Sequence, residues 1–466
     1  MGRPRFTHTT RRRPVNLFPT DHEQLTNSMR FRDFSPPANP TREDQRDALQ
    51  KGLGRAVQWA RVGRLDADLL LTACVEDQTY DITCEPHRAL WLWRLLNASH
   101  LVAELKRLIL RGFLSYSTER STQQLCGLAL QYALNGDRDF NAALRQLIDD
   151  RPFPDIDPPL QGQEELIALS GVEGWIAVAR ARGRWLKQHE WSWCDASFAK
   201  SAETALGETE FLNLLLQSNE GDLSRFKEAW LSDLASEPEI GTQKSSKSAD
   251  SPTVETVLEV ASRAPLKATQ EASLRGWGMN ATPEQLNEIT RSLWNATEAT
   301  SVACLLRVFS NRPLPEFDAR LIELAWHADD SVQRRARIAI AKNSHPLVRE
   351  FALQELMQEE PPTDVGSFFI RNFEPGDERR LLSAIAQPLT PDDRHSVITD
   401  LLEVLDLNAN STSAELGLVI YGESPCAVCR ANAVRLLVRD QATPDWLLEE
   451  CRDDCEDEIR KLVDSN

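Results

Sequence analysis

The sequence predicts an all-α chain assembled from pairs of short antiparallel helices. Apolar residues recur at three- and four-residue spacings through most of the chain, with almost no strand-like alternation. Ser, Thr or Asp N-caps followed by Pro, acid or amide mark one helix start after another. Glycine is sparse, 20 in 466 residues, which argues against a loop-rich all-β protein.

Residues 1–42 read as a basic, Pro-rich arm. Its first thirteen residues hold Arg3, Arg5, Arg11, Arg12 and Arg13 and no acid, and it lacks the apolar periodicity needed to offset its ordering entropy. Residues 43–234 read as an N-terminal helical repeat domain. Thr41 is placed as N-cap of a helix carrying Leu49, Leu53, Ala56 and Ala60, with the stretch KGLGRAV (51–57) as a local kink. Leu92, Leu95 and Leu96 line a further helix. Ser99 is read as N-cap of the next, with Gly112 just past its end. Residues 235–253, rich in Ser, Lys and acid, read as a linker or long loop.

Residues 254–466 read as a C-terminal repeat domain. Helix starts are expected at Thr282–Pro283–Gln285, Thr390–Pro391–Asp393, Ser424–Pro425 and Thr443–Pro444. Three helices share a local grammar of apolar, alanine and apolar residues spaced four apart: Val332, Ala336, Ile340; Val348, Ala352, Leu356; and Cys429, Ala433, Leu437. Alanine in the middle slot permits close approach of a neighbouring helix. Arg349, Arg430 and Arg460 each follow the first slot or its equivalent.

This grammar resembles the HEAT repeat, most clearly over residues 315–358 and 424–463. The resemblance implies a HEAT-like α-solenoid of stacked antiparallel hairpins, each burying its apolar face against its neighbours.

Four cysteines raise the question of a metal site. Cys426 and Cys429, then Cys451 and Cys455, approach the spacing of four-thiolate zinc sites. Against that, Cys429 occupies an apolar slot of the repeat. Cys451 and Cys455 continue a helical stripe from Leu448 to Ile459 and Leu462. Free cysteine behaves as a small hydrophobe, so a core role is the expectation and no cofactor is expected. Cys84, Glu85 and His87, and likewise His327, Asp329 and Asp330, are read as helix-capping residues. No phosphate-binding glycine motif, His-Glu-x-x-His or Gly-x-Ser-x-Gly occurs.

A net charge of −18 favours a basic or neutral partner over polyanions. No apolar run reaches the roughly 18 residues of a membrane span, so no membrane partner is expected. Nine scattered cysteines and no secretory apolar segment point to a reducing, cytoplasmic setting. The leading expectation is a non-catalytic scaffold or adaptor that binds another protein or a basic peptide. The alternative is a nucleic-acid-associated protein, with phosphates held by Arg11, Arg12 and Arg13 of the arm and by a helix-surface patch of Arg334, Arg335, Arg337 and Arg349, as on HEAT-like DNA-binding proteins. An enzyme such as a HEAT-like glycosylase or lyase would need a catalytic carboxylate, and none is singled out.

Overall fold

Local capping chemistry sets most helix boundaries. Thr41 accepts from the Asp44 amide while Asp44 accepts from the Thr41 amide, closing a capping box. Thr282 and Gln285 repeat the device, and Thr390 caps the helix that opens with Pro391. Asp329 caps its helix through the Ser331 and Val332 amides. The computed structural model describes residues 34–115, 119–150, 161–189, 213, 221–236, 252–263, 266–408 and 414–464. Arg11, Arg12, Arg13 and most of the 1–42 arm lie outside the described residues, as does 237–251 of the linker.

Among the described residues there are 24 α-helices and no strand. The first ten are α1 (Arg42–Lys51), α2 (Arg55–Arg61), α3 (Ala67–Val75), α4 (Arg88–Ala98), α5 (Val102–Ser115), α6 (Glu119–Leu134), α7 (Arg138–Asp150), α8 (Gln163–Ser170), α9 (Val172–Gln188) and α10 (Gly221–Ser236). The remainder are α11 (Val254–Ser262), α12 (Ala268–Asn280), α13 (Pro283–Asn295), α14 (Ala299–Leu306), α15 (Arg320–Leu324), α16 (Asp330–Ala341), α17 (Pro346–Leu356), α18 (Val365–Phe369), α19 (Asp377–Ile385), α20 (Pro391–Leu407), α21 (Ala414–Glu423), α22 (Ala427–Arg439), α23 (Asp445–Cys451) and α24 (Asp457–Asp464).

The second set packs in two rows. Along one row α11 touches α14, α14 touches α16, and contact continues through α18, α20 and α22 to α24. Along the other, α17 touches α19 and α19 touches α21. All nine residues of the four-apart triplets are buried between helices. The turns are tied by asparagines. Buried Asn343 accepts from the Leu314 amide, and Asn372 accepts from the His345 amide while donating to the Asn343 and Phe368 carbonyls. Each side chain satisfies backbone groups that burial would otherwise strand.

Several local readings are corrected. The helix after Thr41 breaks in two, because Gly52 ends α1 in the left-handed conformation (φ 74°). Ser99 is a C-cap of α4, its hydroxyl donating to the Leu95 carbonyl, and His100 turns the chain at φ 59°. Gly112 lies inside α5, where a Cβ would meet Val75 at 2.8 Å. Thr443 caps nothing; α23 begins at Asp445, with Pro444 as its N-cap. The stripe from Leu448 to Leu462 is split by a turn between α23 and α24.

The decisive packing joins the first helices to the last. One apolar core draws buried side chains from both Ala48 to Leu147 and Val254 to Val463, and Pro36–Asn466 is one compact unit. The Cys455 amide donates to the Gly52 carbonyl at 2.9 Å, and the Trp91 indole donates to the Asp453 carbonyl at 3.0 Å. Arg55 on α2 meets Glu450, whose side chain is fully buried, at 2.8 Å, and the Tyr421 hydroxyl donates to the same carboxylate at 3.0 Å. Arg61 pairs with Asp453, and Lys51 donates to the Gly422 carbonyl at 2.7 Å. Arg430 and Asp454 lie 3.6 Å apart with no exposed surface on either side chain.

Gly54 is what lets the surfaces meet, since a Cβ there would sit 1.9 Å from the Glu450 carbonyl oxygen. Gly54→Ala is therefore expected to lower unfolding free energy by about 1–3 kcal/mol, the usual range for overpacking. Gly276→Ala, inside α12 with no atom near its Cβ, should instead stabilise by about 0.5–1 kcal/mol. Urea denaturation of both variants decides whether the junction is as tight as described.

Candidate functional site

Two features could carry function: a groove on α16–α18 and a cysteine–histidine cluster near the junction. The groove is built on the arginine patch. Arg337, buried on α16, donates through Nε and Nη2 to Asp364 at 2.7 and 2.6 Å, and through Nη1 to buried Glu355. Its guanidinium also lies 5.6 Å and 5.1 Å from the Phe351 and Phe368 ring centres. Arg335 pairs with Glu271 at 2.8 Å, and Arg349 with Asp377 and Glu374. Of the four patch arginines, three are held by carboxylates of neighbouring segments, and Arg334 is exposed. These pairs raise both guanidinium groups: for Arg337 burial works against the charge and is outweighed by Asp364 and Glu355, and for Arg349 the hydrogen bond it donates to Asp377 leads.

This clamp forms one wall of an open groove of about 340 Å3, lined also by Trp326, Gln333, Arg334, Gln358 and Pro362. Trp326 is 56% exposed and packs edge-on against Phe351, centroids 5.9 Å apart. Met357, at the end of α17, is 70% exposed. Beyond Asp364, Asp400 of α20 is pressed against α18, where a Cβ at Gly366 would meet its Cβ at 2.9 Å. Burial, then the charges of Asp364 and Glu403, push the Asp400 carboxyl up to about 7.

The cluster is assembled from three segments. Cys426 is the N-cap of α22, held extended by its own amide donating to the Ser424 hydroxyl at 3.2 Å. Cys429 follows at the third helical position. His395 lies in the first turns of α20, which Arg394 ties to Glu423 at 2.9 Å. The Tyr80 ring stands 5.3 Å from the His395 ring, and its hydroxyl donates to Asp392 at 2.8 Å. Cys84 ends a 3-10 turn, Ile82–Cys84, capped by Asp81. One ligand atom each from His395, Cys426 and Cys429 lies within 4.8 Å of the others. Cys84 Sγ lies 4.0 Å from Cys426 Sγ. Cys426 and Cys429 are buried, while Cys84 and His395 are half-buried.

The electrostatics favour a thiolate. The Cys429 thiol donating to Cys426, then the Cys429 and Val428 amides at the helix start, then His395, pull the Cys426 thiol down to about 5 despite burial. Burial and the neighbouring Cys426 charge push Cys84 up to about 12. Cys451 and Cys455 do not join the group. Both are buried in the junction beside Asp454, and burial pushes both thiols up. The pairing Cys426–Cys429 is legible as Cys-x2-Cys, but Cys84 and His395 are separated from it by hundreds and tens of residues, and the local grouping of Cys84 with Glu85 and His87 gives no hint of this partnership. No protein-family model, curated protein or solved structure matches the chain.

Removing Arg337 leaves Glu355 buried without its cation. Arg337→Ala should cost about 3–5 kcal/mol of stability, against less than about 0.5 kcal/mol for exposed Arg334→Ala, as read by chemical denaturation. Asp400 keeps its proton in the folded state over a range where the unfolded chain has released it. Stability from this group therefore falls as pH rises from about 4 to about 7. Asp400→Asn should flatten that part of the pH–stability curve, and an unchanged curve would show that Asp400 titrates normally.

Proposed function

We propose that the chain is a non-catalytic scaffold, a HEAT-like α-solenoid whose surface binds a protein or peptide. The two rows of helices, the buried triplets and the asparagine-tied turns support the solenoid reading. The observation that carries the binding reading is Trp326, more than half exposed at the mouth of an open groove. An exposed Trp on a packed support is a favoured anchor at interfaces. Its backing is rigid, because Phe351, Phe368 and the Arg337 clamp hold the groove wall. The acidic balance of the chain favours a basic segment as ligand, recruited faster at low salt.

The test is affinity capture from native extract with and without nuclease, using the full chain and Trp326→Ala. The expected result is a protein retained after nuclease, displaced by salt, and bound on the order of tenfold or more weakly by Trp326→Ala. Retention that disappears with nuclease would shift the reading to nucleic acid and the basic arm. Equal retention by Trp326→Ala would remove the groove from the reading.

A further inference from the structure

We propose that Cys84, His395, Cys426 and Cys429 bind a zinc ion in a closed tetrahedral site that ties the segment before α4 to α20 and α22. Zinc takes thiolate sulfur at about 2.3 Å and imidazole nitrogen at about 2.0 Å, so tetrahedral donors stand roughly 3.5–3.8 Å apart. Three of the side chains, His395, Cys426 and Cys429, already bring a ligand atom each to within 4.8 Å of the others, and Cys84 Sγ adjoins them 4.0 Å from Cys426 Sγ. Binding then takes a contraction of about an ångström among His395, Cys426 and Cys429 and a swing of Cys84 Sγ onto the same centre. Three thiolates and an imidazole fill all four positions, so the centre is structural and leaves no open coordination site for catalysis.

The four ligands stand on three fixed supports. Cys426 and Cys429 share the start of a thirteen-residue helix, Cys84 sits on the Asp81-capped turn, and the His395 ring stands against Tyr80. A disulfide of Cys426 with Cys84 or Cys429 would use two of these donors and leave a thiol and an imidazole converging on the same point without purpose. Zinc uses all four, releasing the thiol protons to solvent as it binds. Because Cys84 lies 342 residues before Cys426 in the chain, the ion would staple the junction that Arg55, Glu450 and Gly54 build a short way along it.

The full chain, isolated without chelator, is analysed for metal by mass spectrometry, and the chelator-treated chain is titrated with cobalt(II). The expected result is about one zinc per chain, and on cobalt a thiolate charge-transfer band with the strong visible bands of a tetrahedral site. Cys84→Ser and His395→Ala should each weaken zinc binding at least about tenfold, while Cys451→Ser retains it. Bound zinc should also shield Cys84, Cys426 and Cys429 of the unmutated chain from alkylation, a readout that needs no variant to fold. A chain that carries no zinc and gives no cobalt bands overturns the proposal. So does a freshly isolated chain with Cys426 in a disulfide, or loss of metal from Cys451→Ser with retention by Cys84→Ser.

Discussion

The structure depends on the contact between Gly54 and the backbone of Glu450. Where a side chain is missing, α2 can lie directly on the end of α23, and a set of charged groups is thereby closed off from water. Glu450 is fully buried and survives as a partner only because Arg55 and the Tyr421 hydroxyl reach it. Buried charges left alone are costly, and paired ones contribute more to fixing one arrangement than to net stability. The junction therefore acts as a register device. A displaced α2 would strand Glu450 and separate Arg61 from Asp453.

The same logic, in weaker form, runs along the second set of helices. Arg349 reaches Asp377, Arg394 reaches Glu423, Arg439 reaches Asp406, and Arg337 reaches both Glu355 and Asp364. Each links one helix to a neighbour at a spacing that apolar packing alone would leave loosely specified. Asn343 and Asn372 do the equivalent work for the backbone at the turns. Arginine is used here inside the molecule: Arg335, Arg337 and Arg349 of the basic run each face a carboxylate of a neighbouring segment.

The groove and the cysteine–histidine cluster would divide the roles of the molecule in the readings proposed above. The groove presents Trp326 on a rigid wall and suits recognition. The cluster holds four soft and borderline donors beside the junction and suits a stabilising ion. On the proposed readings, loss of zinc would loosen the docking of α4 and its preceding turn without touching Trp326, which would make stability and recognition separable.

The sequence by itself determined the all-helical class, the buried triplets and most helix starts. These follow from interactions between residues three or four apart, which a linear reading sees. It erred where two local signals competed. Gly52 and Gly54 read as a kink and proved to be a helix end and a close approach; Ser99 read as an N-cap and proved to be a C-cap; Leu448 to Leu462 read as one helix and proved to be two. Only the tertiary structure decided that the first helices dock on the last, because that contact joins residues some 400 positions apart with no periodicity to announce it. It also decided which cysteines meet. Cys426 and Cys429 group with Cys451 and Cys455 on paper, but folding brings them to Cys84 and His395, since proximity among packed helices is set by which helices touch and not by order along the chain.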